Sequence, residues 1–297
     1  MSRFYQAYTD LPKLKQMLID ARQIAGHADG YMTIGDVVWR MFQNNTFRPE
    51  QNIRVWEDIT GQIIGFNWYS PHRNDFEIQV HPHWRGKLEV EMLDWVLGVA
   101  QRHAPNQPLV TSSPDNDTGW MALLESRGYV RTNDESMYCN IRSLTEAIPP
   151  PPQNGFVLRE VQSTDLEERV AAHRDVWYPS KVTYDAYINM RTQTDYDAEL
   201  DLVAVVPNSQ IVAYATAWLD LANKIGEFEP VGTRLAFQRQ GYGKAVLLEG
   251  LQRMKTKGAE TALVYCYEHN LPFYASVGFK PISKWFTYQL LSPTTNR

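Results

Sequence analysis

The stretch Gln238-Arg239-Gln240-Gly241-Tyr242-Gly243 stands between two segments of different periodicity. Before it, Gly226 to Thr233 reads as a β-strand. After it, Leu247, Leu248, Leu251 and Met254 recur at intervals of three or four, the apolar face of a helix that ends at Gly258. A strand, a turn with two glycines and a helix suit either a tight strand–helix connection or a site for an anion. Glycine lets the backbone turn tightly and approach a ligand, and the first N–H groups of a helix have no intrahelical acceptor. Those donors and the helix dipole hold negative charge without a metal, and Arg239 and Lys244 add positive charge. The turn lacks the Gly-Lys-Ser/Thr ending of a nucleotide-binding P-loop and the third glycine of a dinucleotide fingerprint.

Outward from this turn, Leu200-Asp-Leu-Val-Ala-Val-Val and Gln210 to Trp218 read as a hairpin closed around Pro207-Asn208. Thr261-Ala-Leu-Val-Tyr-Cys reads as a further strand, Pro272 to Ser276 as a short helix and Trp285 to Leu290 as the last strand. Strands and helices alternating in this way predict a mixed α/β architecture, a central sheet flanked by helices.

The same landmarks occur in the first half of the chain. Gln62-Ile-Ile-Gly matches Gln210-Ile-Val-Ala at an offset of 148. Trp84-Arg85-Gly86-Lys87 matches Phe237-Gln238-Arg239-Gln240 at 153, and Glu125-Ser126-Arg127-Gly128-Tyr129 matches Ala275-Ser276-Val277-Gly278-Phe279 at 150. Shared order implies duplication. Pro149 to Pro152 mark the joint. The expected division is a domain over 1–148, a proline-rich linker over 149–155 and a second domain over 156–297.

The second half resembles the GNAT superfamily of acyl-CoA N-acyltransferases, whose signature of a strand, Gln/Arg-x-x-Gly-x-Gly/Ala and a helix is met by Gln238, Gly241 and Gly243. The whole chain resembles a tandem pair of such domains. The resemblance implies that acetyl-CoA is the acyl donor and that residues Arg239, Gln240, Gly241, Tyr242, Gly243 and Lys244 hold its pyrophosphate. Asn270 and Phe273 would contact its pantetheine side, with Asn270 alternatively capping the helix of Tyr274. Tyr274 would lie near the sulfur as a proton donor. Backbone donors from Val231, Gly232 and Thr233 would face the thioester.

An amine must shed a proton to attack a thioester. Glu227 and Glu229, two residues apart, share one face of their strand and are the candidate bases. The position of Glu227, eleven residues before Gln238, also matches the catalytic glutamate of some family members. Cys266 has no histidine at motif spacing and reads as a buried strand residue. His173, Arg174, Trp177 and Tyr187 fall where the resemblance places acceptor-binding helices.

The first half lacks these groups. Leu88 and Val90 stand for the two glycines, Glu89 brings negative charge, and Leu124 stands for Tyr274. Asn74 and Phe76 are expected at the positions of Glu227 and Glu229. This half is therefore expected to be non-catalytic. Its aromatics Tyr31, Trp39, Phe42, Trp56 and Trp68 suit either a core or the wall of a shared cleft.

Across 297 residues the chain is 43% hydrophobic and carries a formal charge of −5, which supplies no general attraction for nucleic acid. Two cysteines, one in each half, make neither a disulfide framework nor a zinc site, so no metal is expected. No apolar run is long enough to cross a membrane, and a cytoplasmic protein is expected. The acceptor is expected to be a small-molecule amine more than a protein. The alternative expectation is a non-catalytic CoA-binding or regulatory module, and a cofactor-free tandem scaffold is the third.

Overall fold

A computed structural model describes residues 1–43, 45–152 and 155–291. The first half opens with β1 (Ser2–Phe4) and two helices, α1 (Ala7–Ala25) and α2 (Ile34–Phe42). The Thr33 side chain caps α2 by accepting from the Asp36 N–H at 3.0 Å, the local rule that starts a helix at a threonine. A short α3 (Pro49–Asn52) leads into the meander β2 (Ile53–Glu57), β3 (Ile63–Ser70) and β4 (Asp75–Val80). Then come α4 (Glu89–His103), β5 (Leu109–Pro114), α5 (Thr118–Ser126), β6 (Val130–Arg131) and β7 (Met137–Ser143).

The second half repeats the plan. It runs β8 (Val157–Glu160), α6 (Leu166–Val176), α7 (Tyr184–Arg191), β9 (Asp201–Val205), β10 (Ile211–Asp220) and β11 (Ile225–Thr233). It continues through α8 (Tyr242–Thr256), β12 (Thr261–Tyr267), α9 (Leu271–Ala275) and β13 (Lys280–Leu290). The last strand thus starts five residues before the expected Trp285. Gln153 and Asn154 of the expected linker lie outside the described residues.

All strands join one mixed sheet, in the order β1-β2-β3-β4-β5-β13-β7-β12-β11-β10-β9-β8, with β6 beside β13. The two halves are interleaved at its centre. β13, from the end of the chain, runs antiparallel to β5 from Trp285↔Pro114 to Leu290↔Leu109. β7, from the first half, runs antiparallel to β12 from Thr261↔Ser143 to Tyr267↔Met137. Each half therefore completes its sheet with a strand of the other. β9 and almost all of β10 are buried on both faces, as continuous apolar strands covered by helices must be.

The core of the second half gathers Leu247, Leu248, Leu251 and Met254 of α8 on Leu202, Ala204 and Phe228 of the sheet, so the helical face expected from spacing is the one buried. A separate cluster crosses between the halves: Val38 and Trp39 of α2 pack with Val170, Tyr187, Met190 and Trp218. Here α2 leaves its own half to lie over β10 and β11. At Gly35 the approach is so close that a Cβ would sit 2.2 Å from the Trp218 ring.

The repeat also corrects one equivalence. Both hairpins close alike, Ser70↔Asp75 and Asp220↔Ile225, and each turn ends on a residue with positive φ, Asn74 or Lys224. Counting from those turns, Glu77 occupies the place of Glu227, and Asn74 and Phe76 do not correspond to the two glutamates. The offset grows from 150 to 153 inside the strand because β11 has nine residues and β4 six.

Candidate active site

β11 and β12 run side by side only through Ile225, Gly226 and Glu227, with Glu227 opposite Leu263. Beyond Glu227 they diverge, and the edge of β11 facing β12 is left without a ladder. On its other edge the register with β10 breaks between Ala215 and Ala217, a bulge opposite Glu229 and Pro230. The Arg234 N–H bonds the Val212 carbonyl of the β10 side. With the two-residue alternation of an antiparallel ladder, the Gly232 N–H also faces β10, and those of Val231 and Thr233 face the opening. Gly232 is thus removed as a donor to a ligand there. Its role is steric, since a Cβ would lie 2.5 Å from the Tyr214 ring.

The turn that follows keeps its donors free. Among the described residues, none accepts a hydrogen bond from the backbone N–H groups of Arg239 through Lys244. Gly241 begins α8 at φ +92°, with open space where a Cβ would stand, and Arg239 also has positive φ, at 61°. A non-glycine residue held in that region is a cost borne at functional turns. Gly243 serves differently. A Cβ there would come within 2.7 Å of the Thr233 hydroxyl and 3.2 Å of Phe273, so glycine lets α8, β11 and α9 converge. Tyr242 turns inward, its ring 5.0 Å from that of Phe156. The Gln238 and Gln240 side chains bond the carbonyls of Thr233 and Ala236 and so brace the turn. Converging free amides beside Arg239 and Lys244 fit a pyrophosphate.

The equivalent turn of the first half is filled by the chain itself. The Glu89 carboxylate accepts from the Gly86 N–H at 3.0 Å and pairs with Arg85 at 3.2 Å. An internal anion thus occupies the start of α4, where α8 leaves its amides free.

Tyr274 on α9 is buried, and its hydroxyl has no hydrogen-bond partner among the described residues. Burial first, then the nearby Cys266 and Glu229, raise its proton affinity, which keeps the phenol protonated. Cys266 is buried beside the Asn140 amide, and burial raises its pKa to about 11, unsuited to a thiolate nucleophile. Asn270 does not cap α9; its amide contacts the His269 ring at 3.0 Å. Of the expected acceptor-side residues, Tyr187 is core and bonds Asp201, His173 is buried 3.2 Å from the Tyr214 hydroxyl, and Trp177 stays half exposed.

The two glutamates differ. Glu227 is 4% exposed and accepts a hydrogen bond from the Thr33 hydroxyl of the first half. Burial, then the charge of Asp36, raises its pKa to about 8, against the Thr33 hydrogen bond and Arg22, which lower it. Glu229 lies half-buried at the cleft; burial, Asp36 and Glu227 raise its pKa well above the ordinary carboxylate range. Its carbonyl accepts from the Trp218 indole at 2.6 Å. Asp36 is held by Arg40 at 3.2 Å, and Arg40 bonds Glu77 at 2.6 Å. One wall of the cleft therefore comes from the first half, through Thr33, Asp36 and Arg40, none of which sequence reasoning singled out. Thr33 is readable as a helix cap, but its contact across the halves has no local signal.

Known proteins resemble this chain in sequence and in fold. Residues 166–279 match the Acetyltransferase (GNAT) family. A mycothiol acetyltransferase of a Nocardioides species is 25% identical over 286 residues, covering 88% of this chain and 91% of that one. A tandem GNAT protein from the clavulanic acid biosynthesis pathway superposes with a TM-score of 0.70 at 13% identity, covering 98% of each chain. A GCN5-related N-acetyltransferase from Sphaerobacter thermophilus gives 0.67 at 16% identity, over 98% of this chain and 95% of its own. Among the described residues no helix is long and apolar enough to cross a membrane.

Proposed function

We propose that the second half of this chain, an N-acetyltransferase that moves an acetyl group from acetyl-CoA to an amine, has a single catalytic site, between β11, α8 and α9, that acetylates a small-molecule amine. The observation that carries this reading is the set of unbonded amides from Arg239 to Lys244 beside an opening that also holds Glu229 and Tyr274. The filled counterpart at Glu89 supports a non-catalytic first half.

In this reading Arg239 to Lys244 hold the pyrophosphate, with Lys244 and Arg239 adding charge, and Asn270 and Phe273 border the pantetheine arm. Bound there, acetyl-CoA supplies the acetyl carbonyl and a thiolate leaving group. The Val231 and Thr233 amides are the donors for the carbonyl oxygen, a kind of contact that contributes several kcal/mol to acyl transfer. Glu229, at the cleft, takes the proton that the amine loses, and Glu227 behind it shares that proton. The Tyr274 phenol gives its proton to the departing sulfur and is restored by the proton that the glutamates took from the amine, so the protons balance.

The acceptor is proposed to be small because a mycothiol acetyltransferase covers nearly the whole chain, and because the first half walls the cleft with α2. Two buried free thiols, Cys139 and Cys266, suit a reducing cytoplasm. Release of free CoA from acetyl-CoA is the test, with glucosamine, spermidine and alaninamide as acceptors and protein-free controls. Turnover by the native protein that is lost in E229Q supports the reading. Undiminished turnover in E229Q would remove Glu229 from the chemistry.

A further inference from the structure

The contact between Thr33 and Glu227 is unusual as a packing device. Glu227 is buried, with a hydroxyl as its hydrogen-bonding side chain and, among the described residues, no cation in salt-bridge contact with it. An apolar pair of similar shape would join the two halves more cheaply, because a buried carboxyl loses its hydration. The Thr33 oxygen already accepts from the Asp36 N–H at 3.0 Å, so its single proton is left for Glu227. The first turn of α2 is fixed in place: Gly35 rests on the Trp218 ring, and the same indole bonds the Glu229 carbonyl at 2.6 Å. A hydroxyl held this firmly is directional.

We propose that Thr33, from the first half, is a positioning residue for acetyl transfer, holding the Glu227 carboxyl beside Glu229 through its hydroxyl. The proposal rests on the reading that the two glutamates handle the proton of the amine. It gives the non-catalytic half a part in the chemistry, because each half alone would lack some of the groups that make the base.

Charged groups around Glu227 set the signs. Asp36 and, farther along α2, Arg40 face the pair from the first half; Arg22 faces it from α1; Glu229 shares its strand. The residues opposite it on β10 and β12 are Trp218 and Leu263, neither of which titrates in the working range. The Thr33 hydrogen bond favours the charged carboxylate, and the Asp36 charge disfavours it. Removing one must therefore raise the proton affinity of Glu227, and removing the other must lower it. A hydroxyl that only capped α2 would produce no such pair of opposite shifts.

The experiment is a carbon-13 NMR titration of the full-length protein labelled at glutamate side chains, with the Glu227 signal identified by its loss in E227Q. The native midpoint is expected near 8. In T33V it moves up and in D36N it moves down, by about one pH unit each, and T33S stays with the native protein. Turnover with whichever of spermidine, glucosamine or alaninamide is acetylated falls about ten-fold in T33V, with the acetyl-CoA KM unchanged and T33S restoring the rate. Midpoints that move in the same direction, or not at all, overturn the proposal, as does full turnover in T33V. D36N retains the cap, so the titration arm survives if T33V folds poorly. Native turnover in E227Q would instead remove the proton-handling reading, whatever the titration shows.

Discussion

Thr33 and Glu227, separated by 194 positions in the chain, share a hydrogen bond that joins the two halves at the base of the cleft. That contact puts a buried carboxyl under the influence of a helix from the other half. Its consequences reach rate, pH dependence and stability.

Activity should fall on the acid side with an apparent pKa near 8, because Glu227 is raised to about that value and Glu229 is raised as well. The pair accepts a proton only when one of its carboxyls is ionised, so kcat/KM rises as pH increases through this range. A profile of kcat/KM from pH 6 to 10 checks this. E227Q and E229Q should each lose on the order of 10² to 10³ in turnover, with acetyl-CoA affinity retained.

The same shift makes Glu227 a stability liability. Its folded-state pKa lies above the ordinary value of 4.5, so its contribution is fully present below that value and is lost as pH rises through about 8. E227Q removes the titrating group and should unfold at a higher temperature than the native protein at pH 9, with the difference shrinking towards pH 5. Thermal melts at the two pH values measure it. Such an exchange of stability for chemistry is expected of a functional carboxyl.

Tyr274 keeps its proton because burial, Cys266 and Glu229 all oppose the phenolate. Y274F should lower kcat by roughly ten-fold or more while leaving acetyl-CoA binding near native. In the native enzyme, no alkaline loss from this phenol should appear below about pH 10. Single-turnover rates of the two proteins decide the point, since equal rates would take Tyr274 out of the acid role.

The interleaved sheet makes its own prediction. Cleavage within 149–155 should leave the two pieces associated, because β7 remains beside β12 and β13 beside β5. Size-exclusion chromatography of the nicked protein should show one peak containing both. Residues 156–297 made alone should aggregate, since the edge of β12 that pairs with β7 would be open.

What could be read in advance was local. The strand, the Gly241–Gly243 turn and the periodic leucines of α8 lie within thirty residues, and each follows from backbone and side-chain rules acting there. The order of the repeated landmarks also revealed the duplication. The offset drift was harder: the longer β11, with its bulge at Glu229 and Pro230, placed Asn74 and Phe76 opposite the glutamates when Glu77 belongs there. The insertion of β13 between β5 and β7 depends on pairings between residues more than a hundred positions apart, and no periodicity encodes a partner. For the same reason Thr33 is recognisable as a cap while its bond to Glu227 is not. Asn270 shows the reverse error, a residue of capping type whose side chain turns to His269.

The donor site depends on geometry more than bulk at Gly241, where a Cβ would meet nothing but φ is +92°. G241V should weaken acetyl-CoA binding about ten-fold or more through backbone strain, while the fold survives. The variant E89A, in the filled turn of the first half, should leave that affinity unchanged. Titration calorimetry with acetyl-CoA measures both.

The most direct measurement is the stoichiometry of that titration on the native full-length protein. One equivalent of acetyl-CoA per chain, removed by G241V and indifferent to E89A, is the predicted result. Two equivalents, none, or one that survives G241V and is altered by E89A would contradict a single donor site at the start of α8.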